Sequence, residues 1–102
     1  MSIKIQGNVV LDHDGSNFSV TNIAVGLGAL VGVTTGSWNT AIGYRTLYSN
    51  NTGAYNTAVG FNALYSNTIG THNVALGRLA LEQNVTGDNN VAIGSYTMQR
   101  SE

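Results

Sequence analysis

Five times the chain repeats Asn, an aliphatic residue or Thr, Ala, a larger aliphatic residue and Gly, and each copy begins 17 residues after the last. The copies are Asn22-Ile23-Ala24-Val25-Gly26, Asn39-Thr40-Ala41-Ile42-Gly43, Asn56-Thr57-Ala58-Val59-Gly60, Asn73-Val74-Ala75-Leu76-Gly77 and Asn90-Val91-Ala92-Ile93-Gly94. A period kept without insertion or deletion makes each repeat one structural unit stacked on its neighbour. A helical unit does not fit, because Gly, Asn, Thr and β-branched residues dominate every copy. The expected class is all-β: a repeat β-solenoid of 17-residue coils over residues 22–102, preceded by a segment over residues 1–21.

Within one coil, Gly recurs at two phases, as Gly26, Gly43, Gly60, Gly77 and Gly94 and as Gly36, Gly53, Gly70 and Gly87. Both phases are expected to be corners that need φ > 0. Between them lie the motif and a second apolar piece centred on Leu30, Leu47, Leu64, Leu81 and Met98, so a coil reads as strand, turn, strand, turn. Alternation along the first strand puts Val25, Ile42, Val59, Leu76 and Ile93 on one face and Ala24, Ala41, Ala58, Ala75 and Ala92 on the other. The large column, with the Leu column, is expected to fill the coil. The Ala and Gly face is expected to lie outside, shaped for close approach of a second backbone at a subunit axis. Two Asn columns share the period. Asn22, Asn39, Asn56, Asn73 and Asn90 suit an amide ladder at least as well as a turn preference, whereas for Asn50, Asn67 and Asn84 the turn preference is the expected reason.

Charge is scarce. Four Lys or Arg and five Asp or Glu leave a net charge of -1, and neither Gly15–Tyr44 nor Thr46–Gly77 holds a charged residue. So uncharged a surface is expected to be buried against other copies, the alternative being that Asn, Ser and Thr solvate it. No basic stripe invites nucleic acid, and no apolar run approaches bilayer-spanning length, so neither nucleic acid nor membrane insertion is expected. The chain has no Cys and no Pro. Residues 1–20 lack the apolar core and cleavage pattern of a signal peptide.

The run Gly36-Ser37-Trp38-Asn39-Thr40-Ala41-Ile42-Gly43, followed by Thr46-Leu47-Tyr48-Ser49-Asn50, resembles the repeat of trimeric phage tail-fibre proteins and is similar to the head repeats of trimeric autotransporter adhesins. The resemblance covers Asn22 to about Gln99. It implies a left-handed parallel β-roll, three chains packed side by side or intertwined, and attachment to a cell surface. The 17-residue repeat is longer than the usual adhesin-head repeat, and no export signal, coiled-coil stalk or membrane anchor is legible, which favours a virion protein assembled in the host cytoplasm. The opening Ile3-Lys4-Ile5-Gln6-Gly7-Asn8-Val9-Val10-Leu11-Asp12 also resembles the start of some phage fibre proteins. Ile3, Ile5, Val9 and Leu11 therefore belong either to an arm that docks on a tail or baseplate protein or to a capping strand for the first coil.

Before each motif stand Trp38, Tyr55, His72 and Asn89 in one column. Such rings suit stacking on the sugars of a host polysaccharide, or packing between subunits. Tyr44 and Phe61 give way to Arg78 and Ser95, and Tyr48 and Tyr65 to Glu82 and Gln99, with Arg78 and Glu82 a candidate ion pair. No metal site is expected at Asp12-His13-Asp14, where alternation points the imidazole away from the carboxylates. No catalytic set and no cofactor site is expected either: Glu82 and Asp88 are the lone carboxylate pair within one coil. The expected function is that of a short trimeric phage tail fibre or fibre-base protein, joining the tail to a host receptor or a distal fibre. The alternatives are a cellular adhesin head and an ice-binding or scaffold solenoid, the last weakened because Thr40 and Thr57 turn to Val74 and Val91.

Overall fold

The computed structural model describes residues 2–5, 8–12 and 22–98. Among the described residues seven strands form one sheet in sequence order: β1 Ser2–Ile5, β2 Asn8–Asp12, β3 Asn22–Val25, β4 Asn39–Ile42, β5 Thr57–Val59, β6 Val74–Leu76 and β7 Val91–Ile93. From β3 to β7 every pairing is parallel and every register step is the repeat itself, as in Ala24↔Ala41, Ala41↔Ala58, Ala58↔Ala75 and Ala75↔Ala92. The chain is a β-solenoid, and residues of one column lie one strand spacing apart, about 4.8 Å. β1 and β2 form an antiparallel hairpin, and β2 meets β3 antiparallel at Asp12↔Ala24, which extends the sheet beyond the first coil.

The faces of the strands are the reverse of the expectation. Ala41, Ala58 and Ala75 are fully buried, while Ile42 is 39% and Ile93 66% exposed. Parity explains the reversal. Asn39, Asn56 and Asn73 point inward, so the residue two positions on must point inward with them, and the residues between and after must point out. The outer columns are therefore Ile23, Thr40, Thr57, Val74, Val91 and Val25, Ile42, Val59, Leu76, Ile93. Against the Ala column, across a thin interior, sit Leu30, Leu47, Leu64 and Leu81 with Ala63 and Ala80.

The second apolar piece is not a strand. It is a run of overlapping turns: Ala63 N–H donates to Gly60 O (3.2 Å), Tyr65 to Asn62 O (3.2 Å) and Asn67 to Leu64 O (3.2 Å). Alternate residues take the left-handed conformation, Asn62 at φ 56° and Leu64 at 52°, and likewise Arg45 and Leu47, and Leu79 and Leu81. Between the turns the backbone reaches the adjoining coils, Leu64 N–H to Ala80 O (3.0 Å) and Asn62 N–H to Tyr44 O (2.9 Å). Ala, Leu, Asn and Ser fill this piece where Val, Ile and Thr fill the strand, which is why it forgoes the extended chain. A left-handed Leu costs about 1–2 kcal/mol. Full burial of its side chain contributes about 1.5–3 kcal/mol and offsets it.

The two glycine phases also differ. Gly43 and its column sit at positive φ, 130° for Gly43, as a corner requires. Gly53 does not. What forbids a side chain there is space, since a Cβ on Gly53 would lie 2.6 Å from Gly70 O in the next coil.

Candidate functional site

Among the described residues eight polar ones are buried, and seven of them are Asn of the two columns. In the first column, Asn56 Oδ1 accepts from the Asn73 backbone N–H (3.0 Å) and from Asn73 Nδ2 (3.1 Å), and Asn22 Oδ1 serves Asn39 in the same way (3.0 and 3.2 Å). The second column is a ladder too, not merely a set of turn residues: Asn67 Nδ2 donates to Asn50 Oδ1 and Asn84 Nδ2 to Asn67 Oδ1, both at 2.9 Å. The ladders meet on shared acceptors. Gly70 O receives Asn56 Nδ2 (2.8 Å) and Asn67 Nδ2 (3.1 Å), and Gly53 O receives Asn39 (2.9 Å) and Asn50 (3.0 Å). These amides hold the coil shut from within, where an unpartnered polar group would cost about 1–3 kcal/mol. They point into the coil and bond to its backbone and to one another.

What remains for contact with other molecules is the outside. The sheet's outer face carries the two outer columns, aliphatic but for Thr40 and Thr57, across five strands, and β3 to β7 hold no charged residue. A face of this kind marks an interaction surface. Five of its residues, Val25, Ile42, Val59, Leu76 and Ile93, were expected in the interior. The five Ala expected at a subunit axis line the interior instead.

The ring columns form as the period requires. Trp38 stacks on Tyr55 with centroids 5.1 Å apart, and Tyr55 on His72 at 4.7 Å, both 14° from parallel. All three have left-handed backbones, at φ 58° to 60°. Their faces cover one another, so the ladder offers outward mainly its ring edges. That is poor geometry for laying sugars flat along it. At the other end of the strand, Tyr44 stacks on Phe61 and Tyr48 on Tyr65. Arg78 and Glu82 form no ion pair; the Arg78 guanidinium lies instead 5.5 Å from the Phe61 centroid and 5.7 Å from that of Tyr96. Sequence reasoning missed Tyr96 and Arg45, although both fall one residue after columns it had singled out.

Asp88 Oδ1 is occupied, accepting from Thr71 N–H (2.7 Å) and Thr71 Oγ1 (3.1 Å). Among the described residues no three His, Cys, Asp or Glu gather in a metal-binding group, and no helix is long and apolar enough to cross a membrane. His13 and Asp14 lie outside the described residues, as do the side chains of Ile3, Ile5, Val9 and Leu11, whose backbones form β1 and β2. Comparison with protein-family models, with curated proteins and with solved structures finds no match to this chain.

Proposed function

We propose that this chain is a structural virion protein, a short homotrimeric tail fibre or fibre base that joins a phage tail or baseplate to a host receptor or a distal fibre. The observation that carries the reading is the outer face of the sheet, where two columns, aliphatic but for Thr40 and Thr57, run in register through five strands with no charge among them. An apolar surface so regular suits copies of itself, since three parallel rolls can set identical faces together about one axis. The resemblance of the repeats to phage tail-fibre sequences supplies the virion setting. The aliphatic columns, not the Ala and Gly columns, then form the shared core. The β1–β2 hairpin extends the sheet at the first coil and suits a capping role, with its outer side left for a tail or baseplate protein.

The native mass of the purified chain, measured by sedimentation, tests this reading. Three chains per particle support it. A single chain at all concentrations leaves a free-standing solenoid and overturns the trimeric rod.

A further inference from the structure

Where each strand gives way to the turn run, the surface changes from aliphatic to aromatic and cationic. Tyr44 and Phe61 stack at 5.3 Å, and Tyr48 and Tyr65 at 5.0 Å with planes 7° apart. Arg45 links the two stacks, its Cζ 5.0 Å from the Tyr44 centroid and 5.6 Å from that of Tyr48. Arg78 lies two coils further on, against Phe61 and Tyr96. A guanidinium held within cation–π range of rings still has its N–H donors for a forked acceptor. Neither guanidinium has a carboxylate partner among the described residues. Asp88 is held by Thr71, and Glu82 makes no ion pair among the described residues. The phenols of Tyr44, Tyr48, Tyr65 and Tyr96 likewise have no hydrogen-bond partner among the described residues. Among the described residues this strip thus presents two cations beside aromatic rings, neither in an ion pair, with a row of phenols that have no hydrogen-bond partner.

We propose that the strip is a docking surface for an acidic polysaccharide, whose carboxylates meet Arg45 and Arg78 and whose hydroxyls meet the phenols. The two cations are separated by roughly 10 Å along the stack, so a polymer lying along the axis reaches both. The Trp38–Tyr55–His72 ladder has neither a cation beside it nor a free row of phenols, so the saccharide contact belongs at the opposite end of the strand. The proposal deepens the attachment reading above and rests on it for the ligand's origin on a host surface.

The test passes the purified chain over immobilised polygalacturonate, inorganic polyphosphate and dextran, with its mass measured in parallel by sedimentation. Retention is expected on polygalacturonate and not on dextran, and it should fall as salt rises. R45Q/R78Q should weaken it about tenfold or more, and Glu82→Gln, which removes a negative charge from the Tyr48–Tyr65 column, should strengthen it. Tyr48→Phe with Tyr65→Phe should weaken binding to polygalacturonate and leave binding to polyphosphate unchanged. No retention on polygalacturonate, equal retention on dextran, or indifference to R45Q/R78Q overturns the proposal. Equal retention on polyphosphate overturns the saccharide assignment and leaves a general anion surface. A trimer that is not retained defeats the strip alone, whereas a monomer defeats the rod whatever the columns show.

Discussion

Each coil crosses the roll twice, and the two crossings solve the same problem with different backbones. On one side Thr57-Ala58-Val59 runs as a parallel strand, with Thr57 N–H donating to Asn73 O at 2.9 Å. On the other side Asn62-Ala63-Leu64 crosses in overlapping turns, with Leu64 N–H donating to Ala80 O at 3.0 Å. Both crossings hydrogen-bond to the neighbouring coils at similar lengths, so the ladder alone does not distinguish them. Backbone strain and side-chain size do. The strand keeps ordinary dihedrals, points only Asn and Ala inward and sends its large residues out. The turn run puts Leu64 at φ 52° and buries it completely. A thin roll has room for one large residue between its walls, and it comes from the wall that needs the compensation.

The largest blow to this division should come from the amides that join the walls. Asn56→Leu orphans the Asn73 N–H and takes one partner each from Asn73 Nδ2 and Gly70 O, which keep Gly87 O and Asn67 Nδ2. The loss is roughly 2–6 kcal/mol, at about 1–3 kcal/mol for the orphaned group and about 0.5–1.5 kcal/mol for each lost bond. That is comparable to the whole stability of a small domain. Circular dichroism should show no cooperative melt, and a melt like that of the parent would deny the ladder its role.

Next comes the strand wall. Ala58→Leu forces a large side chain into the filled interior and should cost about 1–3 kcal/mol or more in thermal unfolding. If it left the fold intact and altered only assembly, Ala58 would face a neighbouring chain and not Leu64.

The turn wall gives a sharper comparison. Leu64→Ala should cost about 2–5 kcal/mol. Leu64→Gly loses the same contacts but sheds the left-handed penalty of about 1–2 kcal/mol. Even after the usual entropic cost of Gly, about 0.5–1 kcal/mol, the Gly variant should be at least as stable as the Ala variant, the reverse of the ordinary order. Urea midpoints would decide this, and a clearly weaker Gly variant would show that the left-handed turn carries no strain.

The smallest effect on stability belongs to the outer face. Val59→Ser, on a half-buried residue, should change unfolding by less than about 1 kcal/mol in a monomer. In the proposed trimer it should lower the assembled mass at a given concentration.

Much of this fold is legible in the sequence, because the 17-residue period is itself the register, and Ala41↔Ala58 could be paired on paper. The inversion of faces was legible too, by one further step. Once Asn39 and Asn56 are taken as an interior ladder, parity carries Ala41 and Ala58 inside with them. The turn wall was harder to see. Leu47, Leu64 and Leu81 recur with the regularity of a strand column, and only the scarcity of β-branched neighbours hints at another backbone. Gly53 misleads for a different reason: Gly marks close approach as readily as a positive φ, and only the distance to Gly70 O separates the two. The strip around Arg45 depends on where long side chains lie, which the period does not state.

Because the hydrogen bonds and ring stacks that join one coil to the next link residues 14 to 18 apart, such a chain can change length only in whole coils. Excising residues 56–72 would bring each later column down one rung with its partners intact and shorten the object by about 4.8 Å. Removing sixteen or eighteen residues would set Asn opposite the wrong neighbour where the two sides of the cut meet. The protein is thus graduated like a ruler, and a lineage can lengthen or trim it by copying or dropping one 17-residue cassette without redesigning any of its faces.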